Sequence, residues 1–207
     1  MELREALTQI AQIRQQMERG QLFRGYRAAT TAFSGLAALV TGLLQPLLVP
    51  EGDAGRFVEL WAAAAALCMV AVGVEMVVRT RCSQSVVQRQ LTMLAVEQFV
   101  PSVAAGGLLT YVFYAFLPEQ LWMLPGLWML LFSLGMFASA RLLPRAVFAV
   151  AGFYLIAGIL TLLVTRSPAA AGGMNLRFSP WVMAIPFALG QLATAAILYQ
   201  KLERRHD

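Results

Sequence analysis

Six apolar runs, each about as long as a helix needs to cross a bilayer, leave this chain few ways to fold. A hydrocarbon core roughly 30 Å thick takes about 20 helical residues. Runs of that length occupy about 28–49, 57–78, 94–117, 121–140, 146–164 and 181–199. They are continuously apolar rather than alternating, which excludes a β-barrel. Pro50 with Gly52, the polar 79–90 segment, Pro118, Pro144 and the 167–180 stretch with Gly172 and Gly173 mark the turns between them. Only 13% of residues are charged, against about 25% in a soluble domain. The chain reads as all-α, an integral membrane bundle of six transmembrane helices.

Orientation follows from the cations, because cytoplasmic loops collect lysine and arginine. With the N-terminus cytoplasmic, the inner segments hold Arg4, Arg14, Arg19, Arg24 and Arg27, then Arg79, Arg81 and Arg89, then Arg141 and Arg145, then Lys201, Arg204 and Arg205. Those are thirteen of the sixteen, and only Arg56, Arg166 and Arg177 fall outside. The expected location is a bacterial inner membrane, with both termini cytoplasmic. The formal charge of +5 is spread between apolar runs rather than gathered on one soluble face, so nucleic acid is not the expected partner.

Before the first run, Leu3, Ala6, Leu7, Ile10, Ile13 and Met17 recur every three or four residues, with Arg4, Gln9, Gln12, Gln15 and Gln16 between them. That periodicity predicts a cytoplasmic amphipathic helix, with Phe23, Arg24, Tyr26 and Arg27 as an interfacial anchor. The organisation is then 1–27 for helix and anchor, 28–199 for the six-helix domain and 200–207 for a cytoplasmic tail. Leu3, Leu7, Ile10 and Met17 form the candidate face for a protein partner, a second copy or membrane lipid. Arg24, Arg27, Arg79, Arg141 and Arg145 are candidate contacts for lipid phosphates.

A weak internal repeat accompanies the spans. Trp61 near the start of the second and Trp122 near the start of the fourth are followed by Gly73 and Gly135, each six residues before an arginine, Arg79 and Arg141. The sixth run likewise opens on Trp181 and passes Gly190 before Lys201. Three helical hairpins in one orientation would give this pattern, and so would the interfacial chemistry common to any helix running inward.

Ionisable residues inside a membrane are costly and mark sites by default. Glu75 near the inner end of the second run and Glu97 early in the third fall at similar depth, with Gln98 beside Glu97. They form the candidate ion or proton site, although Glu75 also stands four residues before Arg79, the spacing of a helical ion pair. Glu59 lies near Arg56. Gln45, Gln98 and Gln191 are expected to hydrogen-bond between helices, while Pro101 and Pro186 are expected kinks. Ala38 with Gly42, Gly135 with Ser139, and the Gly106–Gly107 pair offer close packing.

Catalytic and metal sites have little to stand on. His206, next to the end, is the one histidine, which leaves no histidine-based triad, haem pair or zinc site. No aspartate falls in an apolar run, and no glycine-rich phosphate loop or GxSxG motif occurs. Cys68 and Cys82 have no paired spacing for a disulfide framework or metal. The chain is read as a non-enzyme, and its cofactor is unknown.

The tracts MLPGLW at Met123–Trp128, MLLFSLGMFASARLLPR at Met129–Arg145, IRQQMER at Ile13–Arg19 and FVPSVAAGGLLT at Phe99–Thr110 resemble an uncharacterised family of small bacterial polytopic membrane proteins. The resemblance implies a polar helix, six spans and a cationic tail, and it brings no catalytic or binding residue. The expected role is a scaffold or regulatory protein contacting a partner or itself through its cytoplasmic face. The alternatives are a small transporter or channel using Glu75 and Glu97, and a lipid-binding protein.

Overall fold

A computed structural model describes residues 28–82, 86–139, 145–166 and 176–200. The amphipathic helix expected over 1–27, with its candidate partner face Leu3, Leu7, Ile10 and Met17, and the 201–207 tail lie outside the described residues. Six helices run through the rest: α1 (Ala28–Leu48), α2 (Ala54–Cys82), α3 (Val86–Phe116), α4 (Leu124–Ala138), α5 (Val147–Arg166) and α6 (Pro180–Leu198). A 3-10 turn, Pro118–Met123, leads into α4. All six are long and apolar enough to cross a membrane once that turn is counted with α4. The protein is a multi-pass all-α membrane bundle.

Helix ends follow local chemistry. Gly52 supplies the left-handed conformation, φ +81°, that turns the chain after Pro50. Asp53 Oδ1 then accepts the Arg56 backbone N–H at 2.9 Å, the geometry of an N-terminal cap. Proline stands in the first turn of α4 and of α6, Pro125 and Pro180, where its missing N–H costs nothing. We call the end where α1 begins and α6 finishes proximal, and the opposite end distal.

The bundle is held by small residues. Lipid tails are as apolar as leucine, so helices gain by packing closely rather than by escaping water. On α1 the buried positions are Ala28, Thr31, Gly35, Ala38, Gly42 and Gln45, a three-four alternation that draws one seam along the helix. That seam meets α6, the most extensive helix contact in the fold. A Cβ on Gly42 would come within 2.6 Å of the Ala184 Cβ, and one on Gly35 within 3.3 Å of the Ala188 carbonyl. The second extensive contact joins α4 and α5. There Gly126 and Gly158 cross backbone to backbone, each hypothetical Cβ falling 2.8–2.9 Å from the other's carbonyl oxygen.

Aromatic rings fill the space between these pairs. Tyr154 is wholly buried, stacks edge-on with Phe132 at 4.9 Å and tilts against Phe187 at 5.4 Å, spacings favoured by ring quadrupoles. Its ring lies where Gly190 has no side chain. Against this core α2 and α3 are peripheral. Beyond Trp61 no described side chain of α2 is buried, and none of α3 is. Contact between α2 and α3 is sparse.

These contacts separate two kinds of glycine. Gly126→Ala should lower the thermal midpoint in detergent, since overpacking against backbone costs about 1–3 kcal/mol. Gly73→Ala and Gly107→Ala, where a Cβ meets nothing within 4 Å, should leave the midpoint unchanged or raise it slightly through helix propensity. Equal losses at all three positions would contradict the packing described.

Candidate functional site

Polar side chains gather at the two ends of the bundle. At the distal end Gln45 joins three segments: its Oε1 accepts from Trp61 Nε1 at 2.9 Å, and its Nε2 donates to the Phe178 carbonyl at 2.7 Å. One buried amide thus ties the last turn of α1, the start of α2 and the approach to α6. Phe57, wholly buried, packs its ring against Phe178 at 5.4 Å and Trp61 at 6.3 Å. In a poorly solvated site an unpaired amide would be expensive, and here both of its functions are used.

Two further sets of distal contacts lie nearer the surface. Tyr114 donates to Glu59 Oε1 at 2.6 Å and so joins α3 to α2. Arg177 Nε donates to the Thr165 carbonyl at 3.2 Å and Nη2 reaches the Arg166 carbonyl at 3.5 Å. Its guanidinium also lies 5.8 Å from the Trp122 ring. A cation on the last carbonyls of α5 complements the negative end of the helix dipole. Arg56 is 3.9 Å from Asp53, while Glu59, near Arg56 in sequence, pairs with Tyr114. Two of the three cations expected outside are therefore engaged in local structure.

Interior hydroxyls are mostly satisfied locally or between helices. Ser34, Thr41, Thr110, Thr165 and Thr194 each donate to the carbonyl four residues back. Ser133 instead donates across to the Ala151 carbonyl at 2.8 Å, joining α4 to α5. Trp128 Nε1 donates to Thr110 Oγ1 at 2.8 Å, joining α4 to α3. Tyr154 donates to the Phe187 carbonyl at 3.3 Å, with the Gln191 amide in hydrogen-bonding contact. Gln45 and Gln191 thus do what an amide in an apolar span was expected to do.

The proximal end holds the candidate ion or proton site. Glu75 is half-buried on α2, on the stripe that carries Trp61 and Cys68, and Cys68 is in hydrogen-bonding contact with Ser34 of α1. Glu97 is exposed on α3. No ion pair joins either carboxylate to a described side chain, and no cluster of three metal-ligating side chains occurs among the described residues. Gln98 is half-buried, and its Oε1 is buried without a hydrogen-bond partner. Ser139, which ends α4, has an Oγ in the same state. The sequence marks Ser139 only as a small packing residue beside Gly135. Its hydroxyl gives no sign in the sequence that it will be orphaned.

Of the candidate phosphate contacts, Arg145 is exposed just before α5. Arg79 lies in the last turns of α2, with its side chain outside the described residues. Arg24, Arg27 and Arg141 also lie outside them.

The distal amide makes a specific claim. Gln45→Leu leaves the Trp61 N–H and the Phe178 carbonyl unpaired, and should lower the thermal midpoint by the equivalent of roughly 1–3 kcal/mol. Trp61→Phe should cost less in the Gln45→Leu background than in the parent, because the orphaned N–H leaves with the indole. Strict additivity in detergent melting curves would count against the bond. Compared with protein-family profiles, with curated proteins and with solved structures, the chain matches none, so the meaning of these groups rests on their own geometry.

Proposed function

We propose that this multi-pass membrane protein is a non-enzymatic scaffold or regulatory protein of a bacterial inner membrane, with both termini in the cytoplasm. Its cytoplasmic face, including the amphipathic segment with Leu3, Leu7, Ile10 and Met17, contacts a partner protein or a second copy. One observation carries this reading: among the described residues, no charged side chain is buried in the bundle. Phe132, Tyr154, Phe187 and Met129 fill its interior. A solute pathway needs polar groups at mid-depth, whereas Glu75 and Glu97 lie toward the proximal end. The thirteen-to-three distribution of cations supports the orientation.

Labelling tests the topology. Single cysteines at Thr8 and Ser167, in a background without Cys68 and Cys82, should differ in intact cells: an impermeant reagent reaches position 167 and not position 8. Labelling at position 8 would reverse the orientation.

The scaffold role has two readouts. Replacing Leu7 and Ile10 by aspartate should release the copurifying partner, or reduce oligomer size, while membrane insertion is unchanged. In reconstituted vesicles the parent protein, Glu75→Gln and Glu97→Gln should all give ion flux no higher than empty liposomes. Reproducible flux in the parent that either glutamine abolishes would replace the scaffold with a transporter.

A further inference from the structure

The two orphaned polar atoms at the proximal end belong to residues that fall opposite one another in the register of α3 against α4. Three contacts fix the antiparallel register of α3 and α4. Thr110 bonds Trp128, Gly106 lies against Leu131, and Ser102 lies against Gly135. One more helical turn along both helices brings Gln98 opposite Ser139. Gln98 Oε1 and Ser139 Oγ are both buried, and neither has a partner. Ser139 is only 6% exposed, and its hydroxyl does not fold back onto its own helix as those of Ser34, Thr41, Thr110, Thr165 and Thr194 do. Leaving such atoms unpaired is costly; Gln98 Oε1 can only accept, and the Ser139 hydroxyl, which can both donate and accept, has neither kind of partner, so a group bearing several N–H donors would serve both.

The surroundings specify which donor. The α4 helix ends at Ala138, so the negative end of its dipole lies beside Ser139. Glu97, exposed on the residue before Gln98, adds negative charge at the same depth. Both features favour a cation over an anion or a neutral group. The membrane-crossing segments begin at Val96 and end at Ala138, which sets Gln98 and Ser139 at the bilayer boundary. Met93, Leu94, Val96 and Val100 are exposed on this end of α3, giving acyl chains a surface to lie on. Arg145, exposed before α5, supplies a cation at the same end.

We propose that this end of the α3–α4 seam binds the headgroup of an aminophospholipid: Gln98 Oε1 and Ser139 Oγ accept hydrogen bonds from its primary ammonium, and Arg145 meets its phosphate. A primary ammonium brings three N–H donors, enough for both orphaned oxygens and one further acceptor. A quaternary headgroup has the same charge and no N–H. The site is independent of the scaffold reading, since it needs no partner protein and serves in either orientation.

The test compares phosphatidylethanolamine with phosphatidylcholine of identical acyl chains, added to the full-length protein in detergent. They differ only at the nitrogen, where three methyl groups replace three N–H donors. Phosphatidylethanolamine should raise the thermal midpoint by roughly 3 °C or more beyond phosphatidylcholine, and native mass spectrometry should show its preferential retention. Gln98→Leu and Ser139→Ala should each reduce that difference, and the double substitution should abolish it. Gln98→Glu, which still accepts, should keep it. Each variant is judged by its own difference between two lipids, so a general loss of stability does not imitate the result. Equal shifts with both lipids in the parent would overturn the proposal, as would a preference that survives the double substitution. Stabilisation by soluble phosphoethanolamine as large as that by the lipid would also overturn it, because the acyl chains would then play no part.

Discussion

Everything in this bundle depends on helices coming close enough for their backbones to touch. In water, burial alone would drive six apolar helices together; in hydrocarbon it does not, and cohesion rests on dispersion and a few hydrogen bonds. Dispersion falls off within an ångström of the optimal distance, so only a smooth surface gains from it. Gly35 and Gly42 on α1, with Ala184 and Ala188 on α6, give such a surface. Gly126 and Gly158 give another between α4 and α5. A single Cβ at these crossings would hold two helices apart along their whole contact.

That economy divides the protein into a dense part and a loose one. The α1–α6 and α4–α5 pairs, joined through Tyr154 and Phe187, use the small residues and most of the buried side chains. The α2 and α3 helices flank them and contact each other little. Their distal ends are fastened by Gln45 with Trp61 and by Glu59 with Tyr114. Toward the proximal end α2 depends on half-buried contacts, and the carboxylates and orphaned oxygens occur there. Stability is thus concentrated away from the polar groups, the usual distribution when local opening serves a function.

The sequence made the spans legible and their pairing much less so. Runs of about 20 apolar residues located all six helices, because hydrocarbon forces every backbone group to bond within its own segment. Helices α2 and α3 extend into the polar 79–90 stretch, which hydropathy alone reads as loop. The repeat of tryptophan, glycine and cation leaves three consecutive hairpins open as one arrangement. The most extensive contact, however, joins the first helix to the last, and its signal was the spacing of small residues on α1, of which Ala38 and Gly42 were noticed as a local motif. Gln45 and Gln191 were readable because a buried amide has one economical use. The partner of Glu59 was not, since Arg56 is near in sequence while Tyr114 comes near only through the fold. The empty bonding positions at Gln98 and Ser139 depend on the register of α3 against α4, which no local pattern encodes.

Tyr154 on Gly190 has a mechanical consequence. The phenol occupies volume that any side chain at position 190 would claim. Sliding α5 along α6 by one helical turn, about 5.4 Å, would bring the ring to Pro186 or Thr194, neither of which offers that recess. Phe132 and Phe187 hold the ring from the sides, so turning it out of the way would displace α4 as well. Translation between these helices is therefore blocked in discrete steps rather than resisted gradually. Among the described residues no such interlock crosses the thin α2–α3 seam, which the Tyr114–Glu59 hydrogen bond fastens at its distal end.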